Sequence, residues 1–190
     1  MHTTSVSLLA RLRQPREPEA DWQRFVQLYT PLLFSWARKL GLPAPDAADL
    51  VQDVFVVLVQ KLPEFDYDRQ KQNFRGWLRT VLFNKWRDLC RRHRGAPEVT
   101  RAGELPEVPL PDDAELFAEG EYRQHLVRRA LELMQAEFQP TTWRACWEYL
   151  VRDRPAEEVA RELGITVNAV YLAKSRVLTR LRQELDGLLE

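Results

Sequence analysis

Residues 74–94 read FRGWLRTVLFNKWRDLCRRHR and interleave large rings with cations at helical spacing. Phe74, Trp77, Phe83 and Trp86 supply the rings, with His93 behind them. Arg75, Arg79, Lys85, Arg87, Arg91, Arg92 and Arg94 supply charge against one acid, Asp88. Wound at about 3.6 residues per turn, Phe74, Trp77, Leu78, Val81, Leu82, Trp86 and Leu89 form an apolar stripe that predicts a core face. Thr80, Asn84, Arg87 and Arg91 fall opposite, with Arg79, Phe83 and Arg94 beside them. That second face has the chemistry of nucleic-acid binding. Guanidinium groups pair with phosphates, Asn and Thr hydrogen-bond base edges, and an open ring stacks on an unpaired base, worth roughly 1–3 kcal/mol. A solvated basic face is the plain alternative. Nine Lys/Arg against one acid between residues 69 and 94 weigh toward nucleic acid. Lys85 falls on the apolar side and is expected to snorkel.

A second constellation lies at residues 156–182, AEEVARELGITVNAVYLAKSRVLTRLR. It has the pattern of a helix-turn-helix. Ala160 is small where two helices cross, Gly164 suits a turn with positive φ, and Ile165 plugs the core beneath it. Thr166 caps the second helix and Val170 packs back. Val170, Val177, Leu178 and Leu181 form the expected buried stripe of that helix. Asn168, Leu172, Ser175, Arg176 and Thr179 face away, with Tyr171 and Arg180 at the edges. Such a helix fits a major groove, where Asn reads adenine, Arg reads guanine and Leu touches a thymine methyl. A helical hairpin that binds protein is the alternative. Lys174 points to the apolar side, with no reason visible in the sequence.

A third set, Asp49, Gln52 and Asp53, sits at i, i+3 and i+4 on one helix face. Val56 shares that face, and an apolar residue among the acids favours a protein interface over a merely solvated surface. Catalytic chemistry is not expected. The three histidines, His2, His93 and His125, are far apart, and no Cys, Asp or Glu cluster has metal spacing. Phosphate-loop, dinucleotide and nucleophile-elbow motifs are missing from the sequence. Cys90 and Cys146 sit on apolar helix patterns, which predicts core thiols. No metal and no cofactor are expected.

The elements that position these groups are helical almost throughout, so the fold class is all-α. Apolar spacing of three and four predicts helices near 4–13, 19–40, 46–61, 74–92, 113–137, 141–151, 156–163 and 167–186. Asp46 is expected to cap the third, and Trp143 and Trp147 are expected in the core. Residues 95–112, GAPEVTRAGELPEVPLPD, read as a flexible acidic linker containing prolines. The expected organisation is two small helical domains, 1–94 and 113–190, joined by 95–112, each with its own core. The formal net charge is zero but segregated. Residues 1–95 carry sixteen Lys/Arg and ten acids, residues 96–120 one Arg and seven acids, and residues 121–190 eleven of each. Two cysteines without paired spacing suit a reducing cytoplasm. The N-terminus lacks a secretory apolar core, and no apolar run approaches a membrane span, so no membrane insertion is expected.

In combination and in this order, the motifs resemble the extracytoplasmic-function group of bacterial sigma factors of the sigma-70 family, over nearly the whole chain. DAADLVQDVFVVLVQKLPEFD is similar to the domain-two helix that docks on core RNA polymerase. NFRGWLRTVLFNKWRDLCRR is similar to the segment that melts and reads the minus-ten element, and the helix-turn-helix to the domain that reads the minus-thirty-five element. The resemblance implies that Asp49, Gln52, Asp53 and Val56 contact polymerase. It implies that Arg75, Arg79, Thr80, Phe83, Asn84, Arg87 and Arg91 contact the minus-ten strand. Thr166, Asn168, Tyr171, Leu172, Ser175, Arg176, Thr179 and Arg180 would contact the minus-thirty-five duplex. Residues 63–73 match the loop that captures a flipped promoter base. The implied partners are core RNA polymerase, promoter DNA and, in some members, an anti-sigma factor. One departure stands out: Tyr171, Leu172 and Ala173 occupy places where the family carries Lys, Ser and Arg, so fewer phosphate contacts are expected there. A stand-alone helix-turn-helix regulator is the rival reading, and it has no use for the Asp49 face.

Overall fold

The structure, a computed structural model, describes residues 7–13, 18–65, 74–93 and 118–189. The linker 95–112, most of the 63–73 loop, and the residues His2 and Arg94 lie outside them. Within them the chain is all-α: α1 Leu8–Arg13, α2 Pro18–Lys39, α3 Ala44–Lys61, α4 Phe74–His93, α5 Glu119–Met134, α6 Pro140–Leu150, α7 Ala156–Leu163 and α8 Val167–Leu185. Short 3-10 turns, Leu62–Glu64 and Gln135–Glu137, follow α3 and α5.

The α3 terminus differs from expectation. The helix begins at Ala44 after Pro43, without a side-chain cap. Pro45 lies in the first turn, where its missing N–H would be unsatisfied anyway, so the helix needs no cap from Asp46. Asp46 instead supplies an anion to the first turn.

Helices α1–α4 bury Phe25, Leu28, Tyr29, Leu33, Leu50, Leu58, Phe74 and Leu82 in one core. Each large apolar side chain fully buried there contributes about 1.5–3 kcal/mol. This core does not stop at α4. Tyr122, Leu126, Ala130 and Met134 of α5, with Leu185 and Leu188 at the end of the chain, belong to the same cluster. A second, smaller cluster holds α6, α7 and the start of α8 through Ala145, Ala156, Val159, Ala160, Val170 and Ala173. Gly187 lets the chain end turn inward. Its φ is +76°, and a Cβ there would sit 3.3 Å from the Leu9 side chain.

Pro31 explains part of the joining. It lies inside α2 and has no N–H, so the Gln27 carbonyl one turn earlier receives no helical hydrogen bond. Arg129 of α5 donates to that carbonyl at 3.0 Å. A backbone gap in one helix thus becomes an attachment point for another.

Candidate polymerase and nucleic-acid interfaces

The outer side of α3 carries the predicted acidic row. Asp49, Gln52 and Val56 are exposed, Val56 by 57 %, and Val59 beyond it is also open. Helical periodicity places them opposite buried Leu50, Val54 and Leu58. Asp53 is half-exposed and accepts from Arg92 of α4 at 3.2 Å. Asp49, Gln52, Asp53 and Arg92 border one small cleft with Leu50 and Leu89. Arg92 was not among the expected contacts, because nothing in local spacing links residue 92 to residue 53.

On α4 the two predicted faces separate. Leu78, Val81, Leu82 and Trp86 are buried, and Trp77 packs against the core. Thr80 and Asn84 are exposed. The Thr80 hydroxyl donates to the Gly76 carbonyl at 3.0 Å. Arg79, Arg87 and Arg91 are half-buried along the same side, and Arg91 pairs with Asp88. Two expected residues stand elsewhere. Phe83 is buried at 7 % exposure, edge-on to Trp86, because the apolar stripe is broad enough to take in the flanking ring. Its ring is not on the open face. Arg75 lies 5.5 Å over the Tyr122 ring, a cation–π contact with α5.

The second pair of helices is joined by a three-residue turn. Gly164 adopts φ 65° and ψ 33°, and its N–H donates to the Ala160 carbonyl. Ile165 N–H donates to the same carbonyl at 3.0 Å, a left-handed termination that glycine accepts without strain. Thr166 then caps α8, its hydroxyl oxygen accepting from Ala169 N–H at 3.1 Å. Val170, Ala173 and Val177 are buried beneath. Asn168, Leu172, Ser175, Arg176 and Thr179 are exposed on the outer face, as expected, and Tyr171, expected at its edge, is exposed too. Tyr171 meets Tyr149 edge-on at 5.6 Å. Lys174 lies 5.2 Å over the same Tyr149 ring, which accounts for a cation turned toward the apolar side. Arg180 departs from the expected role. It donates to Glu137 at 2.9 Å and Glu184 at 2.7 Å, so its guanidinium is engaged within the protein.

Trp143 and Trp147 are not core residues. They stack at 6.0 Å and, with Phe138, Leu131 and Val151, line an open groove between α5 and α6. Among the described residues, no element closes the groove over the two indoles. His125 borders the groove, and burial, followed by the charge of Arg128, lowers its pKa. Cys146 is buried, which pushes its thiol up to about 11, a poor setting for a nucleophile. Among the described residues, no group of three or more His, Cys, Asp or Glu could hold a metal, and no helix is long and apolar enough to cross a membrane.

Residues 25–96 match the family model for sigma-70 region 2, which spans the α3 acidic row and the α4 basic face. The chain is 33 % identical over 174 residues to the RNA polymerase sigma factor NccH of Alcaligenes xylosoxydans xylosoxydans, covering 88 % of this chain and 86 % of that one. The chain belongs to the RNA polymerase sigma factors. This sigma factor is also 47 % identical over 74 residues to the RNA polymerase sigma factor CnrH of Cupriavidus metallidurans, covering 39 % of this chain and 37 % of that one. It is 26 % identical to the RNA polymerase sigma-E factor of Streptomyces coelicolor over 165 residues, covering 87 % and 86 %. These relatives place the sigma factor in the extracytoplasmic-function group. It is a transcription-initiation factor, and the stand-alone regulator is set aside.

Proposed function

We propose that this sigma factor works in the cytoplasm without catalytic chemistry of its own, by bringing core RNA polymerase to promoters through three separate surfaces. The α3 row of Asp49, Gln52, Asp53 and Val56 docks on a basic surface of polymerase. The α4 side bearing Arg79, Thr80, Asn84, Arg87 and Arg91 holds the minus-ten strand, with phosphates paired by guanidinium and bases met by Asn and Thr. The outer face of α8 enters the major groove of the minus-thirty-five duplex, with Asn168, Arg176 and Leu172 as base-reading groups and Thr166, Tyr171, Ser175 and Thr179 around them. In this reading residues 1–94 and 113–190 act as two units during initiation, with 95–112 between them.

The observation that carries the reading is the pairing, on adjacent helices, of an exposed acidic row containing Val56 with a basic, Asn- and Thr-bearing face. A DNA-binding regulator alone would need only the second. The test is co-purification of the chain with bacterial core RNA polymerase, beside Asp53→Arg. Stoichiometric binding is expected for the parent. The variant should lose roughly 30-fold or more in affinity, the scale of a charge reversed in a desolvated pair, while its helical circular dichroism is kept. Unchanged binding by Asp53→Arg would remove α3 from the docking surface.

A further inference from the structure

We propose that Tyr171 and Leu172 form an apolar edge that reads thymine methyl groups in the upstream duplex, and that Tyr149 of α6 is the residue that positions Tyr171. Both reading side chains are open, Tyr171 by 45 % and Leu172 by 47 %. Both lie in the second turn of α8, just after the Thr166 cap, at the end of a recognition helix that meets base edges. At about 100° per residue, Leu172 falls near the centre of the outer face, beside Asn168, Ser175 and Thr179. Tyr171 falls on the rim toward α6, where it meets Tyr149 edge-on at 5.6 Å and 79°. Asn168, Ser175 and Thr179 are exposed and uncharged, and Arg176 is the first exposed cation along the helix. Lys174, one turn earlier than Leu178, is drawn back over the Tyr149 ring at 5.2 Å.

The inference rests on the functional reading of α8 given above. A helix end whose outward groups are a ring, a leucyl chain, an amide and hydroxyls gains little from phosphate charge. Its contribution must come from the base edges themselves. In the major groove the bases are told apart by hydrogen-bond donors and acceptors and by one apolar group, the 5-methyl of thymine. That methyl is the partner an open leucyl chain or aromatic ring can select. Taking it out of water contributes about 4-fold in affinity, from about 0.8 kcal/mol per buried carbon. Tyr149 makes the selection by Tyr171 sharper. It is partly buried against the core cluster of α6, α7 and α8, so its ring is anchored, and the edge-on contact gives Tyr171 one preferred direction before DNA arrives. A side chain ordered in advance loses less freedom on binding. Tyr149 acts only through Tyr171, as a positioning residue.

The experiment uses the full chain assembled with core polymerase. The holoenzyme selects duplexes from a promoter pool randomised over the minus-thirty-five element, and the selected duplexes are remade with deoxyuridine in place of each thymidine in turn. Uracil keeps every hydrogen-bonding atom of thymine and lacks only the methyl. Binding should weaken about 4-fold at each of two neighbouring base pairs. Leu172→Ala should abolish the loss at one of them and Tyr171→Ala at the other; both side chains are exposed, and circular dichroism checks that helix content is kept. Tyr149→Leu should shrink the thymine-to-uracil ratio at the Tyr171 position while preference at the other base pairs holds, and Tyr149→Phe should restore it. A Tyr149→Leu loss spread evenly over the element overturns the positioning role. An enriched element indifferent to uracil overturns the methyl reading, and so do ratios unchanged in Leu172→Ala and Tyr171→Ala. Variants that weaken binding to core polymerase before DNA is added overturn it in favour of a protein contact. A pool left unenriched upstream overturns the functional reading of α8 instead.

Discussion

Tyr29 and Tyr122, 93 residues apart, share a hydrogen bond of 3.0 Å inside the joined core. Tyr122 donates its own proton to the Leu188 carbonyl at 2.7 Å, so Tyr29 is the donor between the rings. Trp36 stacks on Tyr122 at 6.0 Å. Burial pushes both phenols above their ordinary range, so both stay neutral and the chain of donors persists. Tyr122→Phe removes two hydrogen bonds and leaves the Leu188 carbonyl without its partner, whereas Tyr29→Phe removes one. The expected costs are about 2–3 and about 1 kcal/mol, read from denaturant midpoints. Equal costs would show that Tyr122 does not link the chain end to α2.

The turn before α8 makes a conformational prediction. A Cβ at Gly164 would meet nothing within 4 Å, so Gly164→Ala tests backbone alone. At positive φ it should cost about 1 kcal/mol. Thr166→Ala removes the cap and should cost about 1 kcal/mol as well. Thermal unfolding of both variants checks this, and a neutral Gly164→Ala would contradict the left-handed turn.

Arg176 is exposed on the outer face of α8, and Glu137 and Glu184, which engage Arg180, leave it open. Arg176→Ala should weaken binding to the upstream element by roughly 1–3 kcal/mol and relax preference at one base pair. The measurement is binding of the polymerase holoenzyme to promoters varied in that element. An undiminished preference removes Arg176 from the base-reading set.

Acid should weaken the joined core. Burial alone would raise the pKa of Glu184, but the hydrogen bonds from Arg180 and Arg24, and their charge, outweigh it and hold the group below its ordinary 4.5. Arg11, Arg24, Arg180 and Glu137 face it, and Asp21 pairs with Arg11 at 2.8 Å. A depressed carboxylate pKa means that its contribution is fully present above the unfolded value and is lost as pH falls through the folded one. The denaturant midpoint should therefore hold steady at neutral pH and fall below pH 4.5. Glu184→Gln should flatten this transition.

The local elements follow from spacing alone. α7 was expected at its observed bounds of 156–163, and α8 within one residue. The buried stripe of α4 and the outer face of α8 also follow from it, because one helix turn decides which side chains share a face. Phe83 marks the limit: a residue at the edge of the stripe goes to whichever side its neighbours leave room for. Trp143 and Trp147 mark another, since ring size predicts burial only where another element is present to cover the ring.

The sequence by itself determined an all-α chain, three surfaces of distinct chemistry and the order in which they occur, since each depends on residues within a few turns of one another. Tertiary structure alone decided that α5 and the end of α8 share the core of α2. The contacts responsible, Arg24 with Glu184 at a separation of 160 residues and Arg129 with the carbonyl freed by Pro31, join groups with no periodic relation. A hydrogen bond or ion pair across such a distance leaves no trace in local spacing. It exists only once packing has brought the partners together.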